Sequence, residues 1–293
     1  MKKLLFVLNP LAGIKRAARY LSDIVSVFNR AGYDTTVYIT AKQGDCTEAV
    51  SRLASGMDLV VCCGGDGTFN ETVTGILQSG ADVSIGYIPA GSTNDFAKSL
   101  NLETDFVKAA ERIVNGKSYS YDIGQLQNRY FTYVASFGAF TKVSYATPQN
   151  LKNIFGHVAY VLSGIQELGQ IKPLHVRMVL DGEEMEEDYL FGAVCNCTSV
   201  AGILTLDPKQ VDMSDGQFEV LLIRPPKDLL DLSKCIQALT KQSYDSPMIT
   251  FRSAKQVEVY TDEPLPWSLD GEREDGGTQV TITNLHKAIR LVK

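Results

Sequence analysis

The sequence predicts an α/β plus all-β protein: a doubly wound, Rossmann-like domain over residues 1–124 and an antiparallel, sandwich-like or barrel-like β-rich domain over residues 125–285. Three observations predict it. Up to about Gly124, unalternated apolar runs such as Leu59 to Cys63 exchange with helical patterns, as expected of parallel strands covered on both faces. The N-terminal runs end in turns rich in glycine, hydroxyl or amide side chains: Asn9 to Gly13, Gly64 to Thr68 and Gly91 to Asp95. From about Gln125, alternating strands are punctuated by Asp181-Gly182, Asp215-Gly216, Asp270-Gly271 and Gly276-Gly277, the signature of hairpins.

Taken in order, Lys3 to Leu8 reads as the first strand. It imitates a secretion signal, but its apolar run of five residues leads into Asn9-Pro10 without a cleavage pattern. Ala17, Leu21, Ile24, Val25 and Phe28 recur at helical spacing until Gly32 ends the helix. A strand at Asp34 to Ile39, a helix from about Asp45 to Ala54 and the Leu59 strand follow. Thr68 reads as the cap of a helix beginning near Phe69, with Glu71 as its capping-box partner. The Val83 to Ile88 strand and a helix from about Phe106 to Val114 complete a right-handed α/β unit. Beyond it, strands are expected at Arg129 to Ser136, His175 to Leu180 and Tyr189 to Asn196, with helices at Asn150 to Gln170 and Asp228 to Leu239.

If the N-terminal strands are parallel, their three turns converge on one sheet edge, where open α/β sheets bind ligands. Glycines there let backbone N–H groups approach an anion, and the helix after Gly67 aims its N-terminus at the same place. A Cβ at Gly65 or Gly67 is expected to obstruct that approach or a positive φ. The anion expected is a nucleotide phosphate, although the patterns G-x-G-x-x-G and G-x-x-x-x-G-K-[ST] are both missing.

Composition narrows the class. Hydrophobic residues at 44% and charged residues at 21% describe an ordinary globular chain, and a net charge of −6 argues against bulk binding to nucleic acid or to an anionic membrane surface, leaving either to a local patch. No stretch approaches the roughly 20 apolar residues that span a bilayer. Six cysteines (46, 62, 63, 195, 197 and 235) lack C-x-x-C spacing, so the expectation is a reducing cytoplasm without a zinc site. His157, His175 and His286 are isolated, and no G-x-S-x-G elbow exists.

Asn9-Pro10-x-x-Gly13, Gly64-Gly65-Asp66-Gly67-Thr68-x-Asn70-Glu71 and Gly91-Ser92-Thr93-Asn94-Asp95-Phe96-Ala97 stand in an order and spacing that resembles the diacylglycerol kinase catalytic-domain family, relatives of sphingosine and ceramide kinases. Gly-Gly-Asp-Gly-Thr occurs in NAD kinases too, whereas the Asn-Pro start and Asn-Asp-Phe-Ala favour the lipid kinases. The resemblance implies ATP and Mg²⁺ as cofactors and a lipid acceptor at the membrane surface, with diacylglycerol leading. A homodimer is compatible with it, and residues 286–293 are expected to return to the first domain.

Carried over residue by residue, the backbones of Gly64 to Gly67 and of Asn9, Pro10, Ala12 and Gly13 form the phosphate cradle. Thr68, Asn70, Glu71, Gly91, Ser92, Thr93 and Asn94 serve phosphate or ribose, and Thr40 stands where the family holds the nucleotide. Asp66 and Asp95 are the acids nearest the phosphates, which implies a mediating magnesium. Trp267-Ser268-Leu269-Asp270-Gly271-Glu272 resembles the family's Leu-Asp-Gly-Glu segment, which makes Asp270 the first choice as general base, Glu272 the second and Asp66 the fallback. Asp212, Asp215 and Gln217 match a segment that holds a second magnesium. A stripe of Leu151, Ile154, Phe155, Val158, Val161, Leu162 and Ile165, flanked by Lys152 and Lys172, is either core or a face for acyl chains. Rival readings are an NAD kinase acting on a ribose hydroxyl and a nucleotide-binding regulator without turnover.

Overall fold

The structure, a computed structural model, describes residues 1–13, 16–138, 172–200 and 204–293. The helix expected at Asn150 to Gln170 and its apolar stripe, with Lys152, lie outside the described residues. The chain divides into two compact units, residues Met1–Tyr121 with Lys287–Lys293 and residues Asp122–His286.

In the first unit, β1 (Lys2–Leu8), α1 (Leu21–Arg30), β2 (Tyr33–Ile39), α2 (Asp45–Leu53), β3 (Leu59–Gly64), α3 (Asp66–Ser79), β4 (Ser84–Pro89), α4 (Asp95–Ser99) and α5 (Phe106–Asn115) follow one another. The strands form a parallel sheet in the order β2-β1-β3-β4, and Arg290 to Val292 extend it in parallel beside Ser84 to Gly86. Alternate residues of β1 explain the double winding. Leu4, Phe6 and Leu8 join Ile24 and Phe28 of α1 and Ile113 of α5 in one core, while Leu5 and Val7 are buried on the opposite face. The sequence departs from its neighbour order between β1 and β3, the switch point at which such sheets open a crevice.

Helix α3 starts three residues earlier than expected. Gly65, extended at φ −88° and ψ −173°, is its N-cap, no side chain caps it, and Asp66 and Gly67 form its first turn. Thr68 therefore lies inside the helix, and Glu71 is engaged elsewhere. Neither Gly65 nor Gly67 has a positive φ; for Gly65 the reason is steric, as described below.

The second unit begins within β5 (Ser118–Leu126) and continues through β6 (Arg129–Phe131), β7 (Val134–Gly138), β8 (Leu174–Leu180), β9 (Glu183–Tyr189), β10 (Phe191–Cys195), β11 (Ser199–Val200), β12 (Leu204–Thr205), β13 (Phe218–Ile223), α6 (Leu229–Thr240), β14 (Ile249–Ala254), β15 (Gln256–Tyr260), β16 (Pro266–Leu269), β17 (Glu272–Asp275) and β18 (Gln279–Val292). Its sheet β14-β13-β10-β7-β16-β17 is antiparallel, and β18, β15, β8 and β9 form a second antiparallel set. Phe131, Phe137, Phe218, Trp267, Val257 and Ile282 fill the core of this unit. The single strand expected at Arg129 to Ser136 is two, β6 and β7, because the amides of Thr132 to Val134 turn away to bind a carboxylate. All six cysteines are buried thiols.

Candidate active site

Three turns of the first unit meet at the switch point. The Asn9 amide side chain donates to Thr68 Oγ1 at 2.9 Å, and the Asn9 N–H donates to the Cys63 carbonyl at 2.9 Å, which ties the end of β1 to the first turn of α3 and to the end of β3. The Ala90 N–H donates to the Gly64 carbonyl at 2.7 Å. A Cβ on Gly65 would stand 3.1 Å from Gly91 Cα, and one on Gly91 would stand 2.5 Å from Gly65 Cα and 2.7 Å from Asn94 Oδ1. A Cβ on Gly13, which adopts φ +52°, would strike the Ala90 carbonyl. The glycines let three backbones touch.

The N–H groups of the first turn of α3 thus face this junction without a side-chain cap, an arrangement suited to an anion. Asp66 Oδ1 accepts the Phe96 N–H at 3.4 Å at the start of α4, whose first residue, Asp95, is buried. Asn94 sits at φ 54° and ψ 55°; its side chain accepts from the Gly91 N–H and donates to the Gly91 carbonyl, both at 2.9 Å. Ser92 is exposed, and Pro10, Ala12, Asn70 and Thr93 are half-buried. Thr40, nearly buried, donates its N–H to the Leu8 carbonyl at 3.0 Å. Glu71 accepts the N–H groups of Gly44 and Cys46 at 2.9 and 3.1 Å, so its carboxylate braces the start of α2.

The second unit treats its acids differently. Asp270, buried at φ +49°, accepts from the Thr132 N–H at 2.6 Å, Thr132 Oγ1 at 2.8 Å, the Tyr133 N–H at 3.0 Å and the Val134 N–H at 3.1 Å. Four donors fill the carboxylate chosen first as base, and accepting a substrate proton would compete with them. Glu272 is about half exposed and faces Arg129 at 3.7 Å.

Asp212 accepts from the Ser214 N–H and hydroxyl at 3.0 and 2.7 Å, and Asp215 accepts the Gln217 N–H at 2.9 Å. The Gln217 carbonyl accepts from Asn284 at 3.1 Å. Among the described residues no three His, Cys, Asp or Glu side chains group as metal ligands. Each of these two carboxylates also holds its own turn. The same turn lies against buried Glu219, whose Oε2 lacks a hydrogen-bond partner and whose pKa is pushed up to about 8 by burial and then by Asp215 and Asp212.

Sequence reading missed Asp122, a fully buried acid that accepts the Gly216 N–H at 2.6 Å and pairs with His286 Nδ1 at 3.1 Å. An acid inside the apolar Tyr121-Asp122-Ile123 run was the available signal. It also missed Asn196, which donates to the carbonyls of Asp122 and Thr132 at 2.7 and 3.1 Å.

Residues 3–126 match the family model of the diacylglycerol kinase catalytic domain, and residues 134–293 match that of the YegS C-terminal NAD kinase β sandwich-like domain. A diacylglycerol kinase of Bacillus subtilis is 31% identical over all of this chain and 96% of its own length. One from Staphylococcus saprophyticus is 33% identical over 92% of this chain and 89% of its own. A crystal structure of a candidate diacylglycerol kinase from Bacillus anthracis superposes with a TM-score of 0.82 at 25% identity, covering 99% of this chain and 94% of that one. With fold, junction and both halves of the chain in agreement, the chain belongs to the diacylglycerol kinase catalytic-domain family of lipid kinases.

Proposed function

We propose that the protein transfers the γ-phosphoryl group of magnesium-ATP to the free hydroxyl of diacylglycerol, giving phosphatidic acid. The observation that carries the reading is the uncapped start of α3 at the junction of Asn9, Gly65 and Gly91. In this account the first-turn amides of α3 and the turns beside them hold the nucleotide phosphates, with Thr40, Asn70, Ser92 and Thr93 around phosphate and ribose. Magnesium carried by the nucleotide offsets phosphate charge that would otherwise repel Asp66 and Asp95.

Glu272 is the group we assign to the proton of the lipid hydroxyl, since it is an exposed carboxylate. Asp270 positions the hairpin that presents it, through four hydrogen bonds to Thr132, Tyr133 and Val134. The residues that would hold a second magnesium are Asp212, Asp215 and Gln217, and no step is assigned to it. No helix among the described residues is long and apolar enough to cross a membrane.

The test is transfer from γ-labelled ATP to diacylglycerol in mixed micelles, with NAD offered in parallel. Labelled phosphatidic acid is expected. Labelled NADP in its place would replace this reading with the ribose-kinase one.

A further inference from the structure

Tyr87 stands in β4 where its neighbours Ile85 and Ile88 are purely apolar, and it is only 2% exposed. Its ring stacks on Phe69 of α3, with centroids 4.4 Å apart and planes 21° apart, and Phe69 in turn meets Phe96 of α4 at 4.6 Å. Phenylalanine would fill this column equally well. The hydroxyl is the difference, and burying it is costly unless it is paired. It points to Asn94, whose Oδ1 accepts the Tyr87 O–H at 3.4 Å and the Gly91 N–H at 2.9 Å.

Asn94 is the residue that needs holding. It occupies the left-handed region, which costs a residue with a Cβ and which asparagine enters by bonding locally through its short amide; here that amide closes a ring with both backbone groups of Gly91. Gly91 in turn touches Gly65 at the start of α3. Resting on the nucleotide reading above, we infer that the Tyr87 hydroxyl is a positioning group for ATP: it locks the Asn94 amide, and through Gly91 it sets how the β4 turn closes on the first turn of α3. Burial, then the charges of Asp66 and Asp95 among nearby groups, raise the phenol pKa well above its usual value, so the hydroxyl stays a donor at any working pH. Its ring ties the same residue to α3, so one side chain spans both phosphate-facing elements.

The test is Tyr87→Phe, which keeps the stacked ring and deletes the oxygen. Calorimetric titration with magnesium-ATP is expected to show a Kd raised about threefold to fivefold, the worth of one long neutral hydrogen bond. The KM for ATP should rise by the same factor, while kcat and the KM for diacylglycerol stay within about twofold and the melting temperature moves by no more than about 4 °C. An unchanged ATP Kd in the folded variant overturns the inference. So does a fall in melting temperature in which ATP and lipid constants worsen alike, the mark of a purely structural tyrosine. A wild-type protein without affinity for ATP contradicts instead the nucleotide reading itself.

Discussion

Two aspartate-glycine pairs follow buried strands in this molecule, and they have opposite fates. Asp66-Gly67 comes after β3 and opens a helix, where the Asp66 carboxylate accepts a long hydrogen bond from the Phe96 N–H. Asp270-Gly271 comes after β16 and makes a tight turn at φ +49° and +85°, where the Asp270 carboxylate accepts four bonds of 2.6 to 3.1 Å. The dipeptide is the same; what differs is the backbone that surrounds the carboxylate. A helix start offers its amides to a ligand, whereas the hairpin spends its neighbours' amides on its own aspartate. The base proposed for the second unit is accordingly Glu272, two residues on.

The largest effect that sharpens this contrast is expected at Glu272. Glu272→Gln should lower kcat on diacylglycerol by roughly 10²–10⁴-fold, the usual worth of a positioned general base, with ATP affinity and melting temperature unchanged. Asp270→Asn comes next and acts on stability. The amide would turn an NH₂ toward backbone N–H donors in a buried site, costing roughly 2–4 kcal/mol and lowering the melting temperature by about 5–10 °C, as calorimetry would show. In the first unit the sensitive feature is backbone closeness. Gly91→Ala places a Cβ 2.5 Å from Gly65 Cα, so ATP affinity should fall about tenfold or more, read by titration, with the β-rich unit undisturbed.

The smallest effect is a matter of pH. Burial, then the charges of Asp215 and Asp212, push the Glu219 pKa from the usual 4.5 up to about 8, so the protonated form is favoured by folding. Its stabilising contribution is complete below about pH 4.5 and is lost as pH rises through about 8. Wild-type protein in a chelating buffer should melt lower at pH 8.5 than at pH 6, and Glu219→Gln should flatten that slope. His175, raised by Asp188 and Glu186, contributes in the same sense and is common to both proteins.

Much of the first unit was legible because its signals are local. Apolar runs of β1, β3 and β4 that end in glycine announce strand, turn and helix within ten residues of one another. The helix start was misplaced because Asp66 and Gly67 are weak helix formers, while the position of Gly65 against Gly91 decides where the helix can begin. The second unit hid more, since its decisive contacts are distant in sequence. Thr132 and Asp270 are 138 positions apart, so nothing near Arg129 to Ser136 warned that the strand would break. Asp122 and Tyr87 lie inside apolar strands, where a pattern reports only burial.

A head-to-head rate measurement tests this division of labour most directly. Single-turnover transfer from labelled ATP to diacylglycerol should be followed for Asp270→Asn and Glu272→Gln at a temperature well below both melting points. Folded Asp270→Asn is expected to retain most of the wild-type rate while Glu272→Gln loses roughly 10²-fold or more. A Glu272→Gln protein at the wild-type rate, beside a folded Asp270→Asn that has lost it, would return the proton to Asp270 and contradict the division of labour drawn here.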